Sequence, residues 1–349
     1  MLLDFLVSGK NRARLAILPT PMHPLKRLSG RLGGPELWIK RDDLTGLAGG
    51  GNKTRKLEFL VGDAIAQGAD TLVTVGAIQS NHTRQTAAAA ARTGLHCALL
   101  HNGWTAEPGK AYRAAGNPLL SELLGAELYL DETVRGLGEH GQLEALADHL
   151  RAQGRRPYVI PRGGSDHPLG GLGYVLCASE IAIQSAEWGV EFDTVLHCTG
   201  SSGTQAGLLA GFAALDADTR VIGVSDDGHQ TRKRERVLRL ANATLAELGL
   251  PNRIGPERVE IVVADESPYG VASDAVLAAV RLFATTEGLV ADPVYEGRTI
   301  RGLIDLAAGP TLGRRVLVLH LGGSPAIHGY ADQLWRDGLQ PLPPTASPT

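Results

Sequence analysis

The sequence has no excess of charge of either sign. Its 34 lysines and arginines stand against 37 aspartates and glutamates, a formal net charge of −3. That balance gives no electrostatic case for nucleic acid or for an anionic membrane surface as partner. Cysteine is scarce: Cys97, Cys177 and Cys198 are the three, and none has a CxxC neighbour. The spacing argues against a zinc site or a disulfide framework, and no metal is expected. Each cysteine sits in an apolar run, as buried thiols do, so a reducing, cytoplasmic setting is expected. Long hydrophobic runs are missing too. The N-terminal stretch carries Asp4 and no extended apolar core, so neither a signal peptide nor a membrane span is expected. No short repeat period is present. The densest basic cluster, "TRKRER" at 231–236, reads as a solvated helix face.

What is there is a β–α alternation along 349 residues. Apolar runs at 71–76, 96–101, 126–130, 156–161, 193–198, 220–225, 259–264 and 315–321 read as strands. Most are continuous rather than alternating, the mark of strands buried on both faces of a parallel sheet. Helical patterns lie between them at 53–67, 83–93, 141–153, 173–188, 204–215 and 274–286. The pattern predicts an α/β doubly wound fold. A turn-rich stretch, "PRGGSDHPLGG" at 161–171, marks a boundary. The expected division is a small domain over 51–161 and a large one over 1–50 and 162–340. The Pro-rich tail 341–349 is expected to be disordered.

Several stretches carry chemistry. In "GGGNKTRKLEFL" (49–60), Leu57, Leu60, Val61, Ala64 and Ile65 follow helical spacing, with Asn52 as the expected N-cap. Lys53 then stands at the positive end of the helix dipole, which disfavours its charged form. A positioned neutral amine is what Schiff-base chemistry needs. In "VGAIQSNHTRQ" (75–85), Gln79, Ser80, Asn81 and His82 crowd just past a strand end, where α/β sheets bind ligands. In "HCTGSSGTQAG" (197–207), a Gly/Ser/Thr loop runs into a helix and can cradle a phosphate. It lacks the lysine of a nucleotide-binding P-loop, so a cofactor monophosphate suits it better. "ADPVYEG" (291–297) sets Tyr295 and Glu296 after a proline turn, and "LHLGGSPA" (319–326) ends a strand in two glycines. A lysine at a helix start, a phosphate cradle and polar strand-end loops are together the parts needed to hold pyridoxal phosphate (PLP).

The chain resembles the 1-aminocyclopropane-1-carboxylate (ACC) deaminase and D-cysteine desulfhydrase family from about residue 17 to 332. The resemblance rests on "IKRDDLTGLAGGGNKTRKLEFL", "GAIQSNHTRQ", "SDHPLGGLGYV", "GSSGTQAG", "DPVYEG" and "HLGGSPA". It implies the tryptophan-synthase-β-like PLP fold (fold type II), with two open, twisted, mostly parallel sheets and flanking helices. It also implies a small amino acid substrate and a homodimer. By resemblance, Lys53 would carry PLP as a Schiff base. Asn81 would hydrogen-bond the phenolic oxygen, and Gly200, Ser201, Ser202, Gly203 and Thr204 would hold the phosphate. Ser80 would bind the substrate carboxylate or move a proton. Tyr295 and Tyr269 would flank the substrate and supply acid or nucleophilic groups. Glu296 would face the pyridine nitrogen, and His82, Trp104 and Leu321 would complete the substrate pocket. Lys56 would be structural or electrostatic. Glu296 and Leu321 are the pair found in deaminases, where desulfhydrases carry a small hydroxyl residue and threonine. His82 and the wording "TGLAGGGNK" are closer to desulfhydrases. The leading expectation is ACC ring opening to 2-oxobutanoate and ammonia. The alternative is β-elimination of D-cysteine or a related small amino acid.

Overall fold

Runs that are apolar at every position need partners on both faces, and the strands find them in two sheets. The structure, a computed structural model, describes residues 2–103, 105, 109–133, 141–251, 253–335 and 338. Trp104 and the 341–349 tail lie outside the described residues. The strands are β1 (Met22–Pro24), β2 (Glu36–Arg41), β3 (Thr71–Ala77), β4 (His96–Asn102) and β5 (Glu127–Asp131), then β6 (Pro157–Ile160), β7 (Thr194–Thr199), β8 (Arg220–Ser225), β9 (Glu260–Val262) and β10 (Arg315–His320). One sheet has the order β1-β2-β10-β7-β8-β9 and the other β5-β4-β3-β6. Every pairing is parallel except β1 with β2.

The pleat sorts each strand's side chains between two cores. In β3, Leu72 packs with Leu57, Leu60 and Val61 of the Lys53–Ala66 helix. Val73 and Val75 face the other way, onto Leu143, Leu146 and Leu150 of the Gly141–Ala152 helix. In the larger sheet, Val195 and Leu317 pack under the Leu172–Trp188, Gly203–Ala214 and Gln230–Glu247 helices. Leu196 and Val318 pack on the opposite face with Ile300 and Leu303 of the Glu296–Ala307 helix. No helix among the described residues is long and apolar enough to cross a membrane.

Four local expectations change. The sequence pattern missed β1 and β2, because "ELWIKR" reads as half charged. Lys40 is nevertheless fully buried, its ammonium 2.8 Å from Glu180. The apolar run 259–264 pairs only over Glu260–Val262. Asn52 does not cap its helix; its Nδ2 donates to Thr204 Oγ1 at 3.2 Å instead. Ile65, placed on the apolar stripe, is 47 % exposed, while Arg55, Lys56 and Glu58 of the same helix are buried.

Candidate active site

The strand-end loops converge from both sheets. β3 leads into Gln79 and Ser80, β6 into Arg162–Ser165, β7 into Gly200–Ser202, and β10 into Leu321. A cavity of about 760 Å³ lies at these carboxyl ends. It is lined by Lys53, Ser80, Asn81, His82, Gly200, Ser201, Ser202, Thr204, Tyr269, Tyr295, Glu296 and Leu321. Gly203 is buried just behind, where a Cβ would come 2.6 Å from Ser165 Oγ.

Lys53 is the first residue of its helix, and its Nζ lies 3.4 Å from Ser201 Oγ. Burial lowers its pKa to about 8, with Cys198 and Asp226 pulling the other way. The direction is the one expected at a helix start, and enclosure among the surrounding elements is its first cause. Opposite it, the loop after β7 bends through Ser202 at φ 73°. A Cβ at Gly200 would collide with the Asp226 carboxylate. Thr199 Oγ1 and Ser202 Oγ are buried and have no hydrogen-bond partner. With the first N–H groups of the Gly203–Ala214 helix they form a donor-rich concavity.

Ser80 is the N-cap of the Asn81–Thr93 helix, its Oγ accepting from Thr83 N at 3.3 Å. The capping bond uses a lone pair and leaves the hydroxyl proton free to donate. Asn81 Oδ1 accepts from Asn117 Nδ2 at 2.8 Å, so the Asn81 NH₂ is the end left for a ligand. Asn117 is itself held by Arg84 Nε at 3.1 Å. His82 Nε2 is 2.8 Å from Thr74 Oγ1, whose own proton goes to Ile160 O at 2.7 Å. The histidine must therefore donate from Nε2, which leaves Nδ1 as a buried acceptor without a partner. Burial, then the charges of Lys53 and Lys56, hold His82 well below the usual histidine range.

The proline turn places its two residues through Asp292, which accepts from the N–H groups of Val294 at 2.9 Å, Tyr295 at 2.8 Å and Glu296 at 3.2 Å. Tyr295 and Tyr269 share a hydroxyl–hydroxyl hydrogen bond, with ring centroids 5.9 Å apart. Burial raises the pKa of both, so both are neutral phenols. Glu296 is buried, and burial followed by the nearby Asp292 charge raises its pKa well above the usual carboxylic range. Its Oε1 has no partner, and its Oε2 is 3.5 Å from His320 Nδ1. That contact is no ion pair. His320 Nε2 faces the Val290 carbonyl at 3.1 Å and Nδ1 accepts from Gly322 N at 3.3 Å, which defines a neutral ring.

Sequence reasoning missed several residues. Asn117 orients Asn81 from 36 positions away in the chain, and no local pattern signals it. The "TRKRER" cluster is only partly a solvated face. Lys233 is buried and paired with Asp226 and Asp227, and Arg232 and Arg236 line the cavity. The i, i+4 spacing of Arg232 and Arg236 on one helix was the available signal.

PLP fits these residues. An amine with a pKa of about 8 would suit its aldehyde, unpartnered hydroxyls and N–H groups its phosphate, and an unpartnered buried carboxyl oxygen its ring N–H. A protein family described as pyridoxal-phosphate dependent enzyme matches residues 13–322. A Burkholderia vietnamiensis protein named 1-aminocyclopropane-1-carboxylate deaminase is 45 % identical over 334 residues, covering 94 % of this chain and 98 % of that one. The crystal structure of an ACC deaminase homologue superposes with a TM-score of 0.87 at 37 % identity, covering 95 % of this chain and 98 % of the other. A threonine deaminase from T.th. shares the fold, with a TM-score of 0.62 at 21 % identity over 92 % of this chain and 96 % of its own.

Proposed function

The chain belongs to the family of pyridoxal-phosphate dependent enzymes, and on that premise we propose that it opens the ring of ACC. Water is consumed, and 2-oxobutanoate and ammonia are released. The observation that carries this reading is Glu296, a buried carboxyl with an unpartnered oxygen in the cavity, together with the 45 % identity to a named ACC deaminase.

Lys53 would hold the cofactor covalently, the Thr199–Thr204 loop its phosphate, the Asn81 NH₂ its phenolic oxygen and Glu296 its ring nitrogen. When bound, the cofactor supplies an electron sink for negative charge released at the substrate. A cationic ring N–H would draw the Glu296 carboxyl back to its ionised form, and the ion pair would hold the ring protonated. ACC has no α-hydrogen, so its ring must open by nucleophilic attack or by loss of a methylene proton. Ser80 Oγ–H and the first-turn N–H groups of its helix suit the substrate carboxylate. The Tyr295–Tyr269 pair, neutral because buried, is suited to hold or deliver a proton at Tyr295 Oη. That favours an acid role over a nucleophilic one. Leu321, 7 % exposed, gives the cavity an apolar wall suited to the ring methylenes.

The test is to incubate purified protein with ACC and assay 2-oxobutanoate, with D-cysteine and sulfide release in parallel. Turnover of ACC is expected. Turnover of D-cysteine alone would replace the assignment by the desulfhydrase reading, which His82 favours. Lys53→Ala is expected to abolish borohydride-trappable cofactor. We also propose a cytoplasmic location, consistent with three free buried thiols, and a homodimer, which sedimentation would test.

A further inference from the structure

Arg298 is fully buried on the helix that begins beside Tyr295, and the chemistry above assigns it no part. Its Nη2 faces three carbonyl oxygens of one loop: Ser267 at 2.8 Å, Pro268 at 3.1 Å and Val271 at 3.0 Å. Its Nη1 donates to the Asp226 carbonyl just after β8. The Asp265 carboxylate pairs with it at 3.5 Å and accepts from Ser267 N at 3.0 Å. The loop at 267–271 carries Tyr269 and belongs to no strand or helix. Its turn is closed by Val271 N donating to Pro268 O at 3.0 Å. From a different segment, the buried Tyr330 donates its hydroxyl to Gly270 O at 2.8 Å, and its ring stands edge-on to Tyr112 with centroids 5.7 Å apart.

We propose that Arg298 is a positioning residue, which holds Tyr269 against Tyr295 by gripping the backbone on both sides of Tyr269. It rests on the reading of the tyrosine pair given above. One helical turn separates Tyr295 from Arg298. A single element therefore carries Tyr295 in its own backbone and reaches Tyr269 through the Arg298 side chain. The two hydroxyls and Glu296 keep one frame of reference as a result. The bond between Tyr269 and Tyr295 depends on that frame, because a hydrogen bond weakens steeply once its donor and acceptor are turned apart.

The donor set fits the task. Carbonyls of a loop without a ladder partner still need hydrogen bonds, and a guanidinium, which only donates, can answer several of them. Here the three loop carbonyls converge on one nitrogen. The three donors of an ammonium, also on one nitrogen, can serve the same oxygens, whereas a methionine of similar length serves none. Tyr330 adds a separate hold on Gly270, so the loop is gripped from two segments of the chain.

Two measurements on the full-length holoenzyme test this. The first is hydrogen exchange by mass spectrometry over peptides covering 265–273. Arg298→Met and Tyr330→Phe are each expected to speed exchange there about tenfold, with the rest of the chain unchanged. Arg298→Lys is expected to restore protection. The second is a double-mutant cycle, on whichever of ACC and D-cysteine the wild type turns over. Arg298→Met is expected to lower kcat about tenfold or more and to leave KM within about twofold. In a Tyr269→Phe background the same substitution should cost no more than about twofold, because the group it positions is already gone. Equal losses in the two backgrounds would overturn the proposal, since they mark a general structural role. So would wild-type exchange over 265–273 in both Arg298→Met and Tyr330→Phe. Tyr330→Phe removes one hydroxyl and takes the place of Arg298→Met in the cycle if the latter does not fold. Tyr269→Phe at the wild-type kcat would refute the reading of the tyrosine pair itself, and the proposal with it.

Discussion

At the scale of single residues, the site depends on which atoms are left without partners. Asn81 and Glu296 each present one unsatisfied end because the rest of the side chain is accounted for, by Asn117 in one case and by packing beside His320 in the other. Glu296→Ser removes the carboxylate that would hold a ring nitrogen protonated. We expect it to reduce ACC opening by roughly 10²-fold or more, a loss of about 3 kcal/mol of transition-state stabilisation. D-cysteine elimination, which begins with ordinary α-proton loss, should fall less. Parallel kcat/KM measurements on the two substrates check this, and equal losses would count against the electron-sink role.

At the scale of elements, a buried ion network sets where the Lys53–Ala66 helix begins. Arg55 donates to both oxygens of Asp42 and both of Glu180, and Tyr174 and Lys40 bond the same carboxylates. This ties β2 and the Leu172–Trp188 helix to the turn that carries Lys53. Gly173 lets the two helices meet, since a Cβ there would collide with the Arg55 carbonyl. Arg55→Met leaves buried Asp42 without a cation and Glu180 with Lys40 alone, and should destabilise the fold by about 3–5 kcal/mol, measurable by urea denaturation. The pKa values of Asp42 and Glu180 are lowered in the fold, against burial, chiefly by Arg55. Their contribution is therefore present above the unfolded carboxylate range and lost as pH falls through the lower folded values. In Arg55→Met this depression is relieved, so the midpoint of acid unfolding should move to higher pH.

At the scale of the whole molecule, the cavity takes walls from both sheets: Ser80, Asn81 and His82 from the four-stranded one, the β7 and β10 loops from the six-stranded one. A cofactor seated there ties the two together. Saturation to about 100 times its Kd should add roughly 2.7 kcal/mol. Stripping PLP should therefore lower the thermal midpoint by several degrees in differential scanning calorimetry, and an unchanged midpoint would place the cofactor elsewhere.

The order of strands and helices, and the stretches that carry chemistry, could be read from the chain because they rest on local rules. Continuous apolar runs make doubly buried strands, and Gly/Ser/Thr after such a run makes an anion loop. The family motifs implied a role for each position. β2 escaped because a buried ion pair between Lys40 and Glu180 looks like surface polarity until a residue 140 positions further along has folded back. The buried Lys233 looked solvated for the same reason. The resting states of the site were decided by tertiary structure alone. Enclosure lowers Lys53 and raises Glu296, and the Ile160 carbonyl sets the tautomer of His82 through Thr74. Sequence names the groups, but burial and hydrogen-bond partners decide which of them hold a proton, and those exist only once distant segments meet.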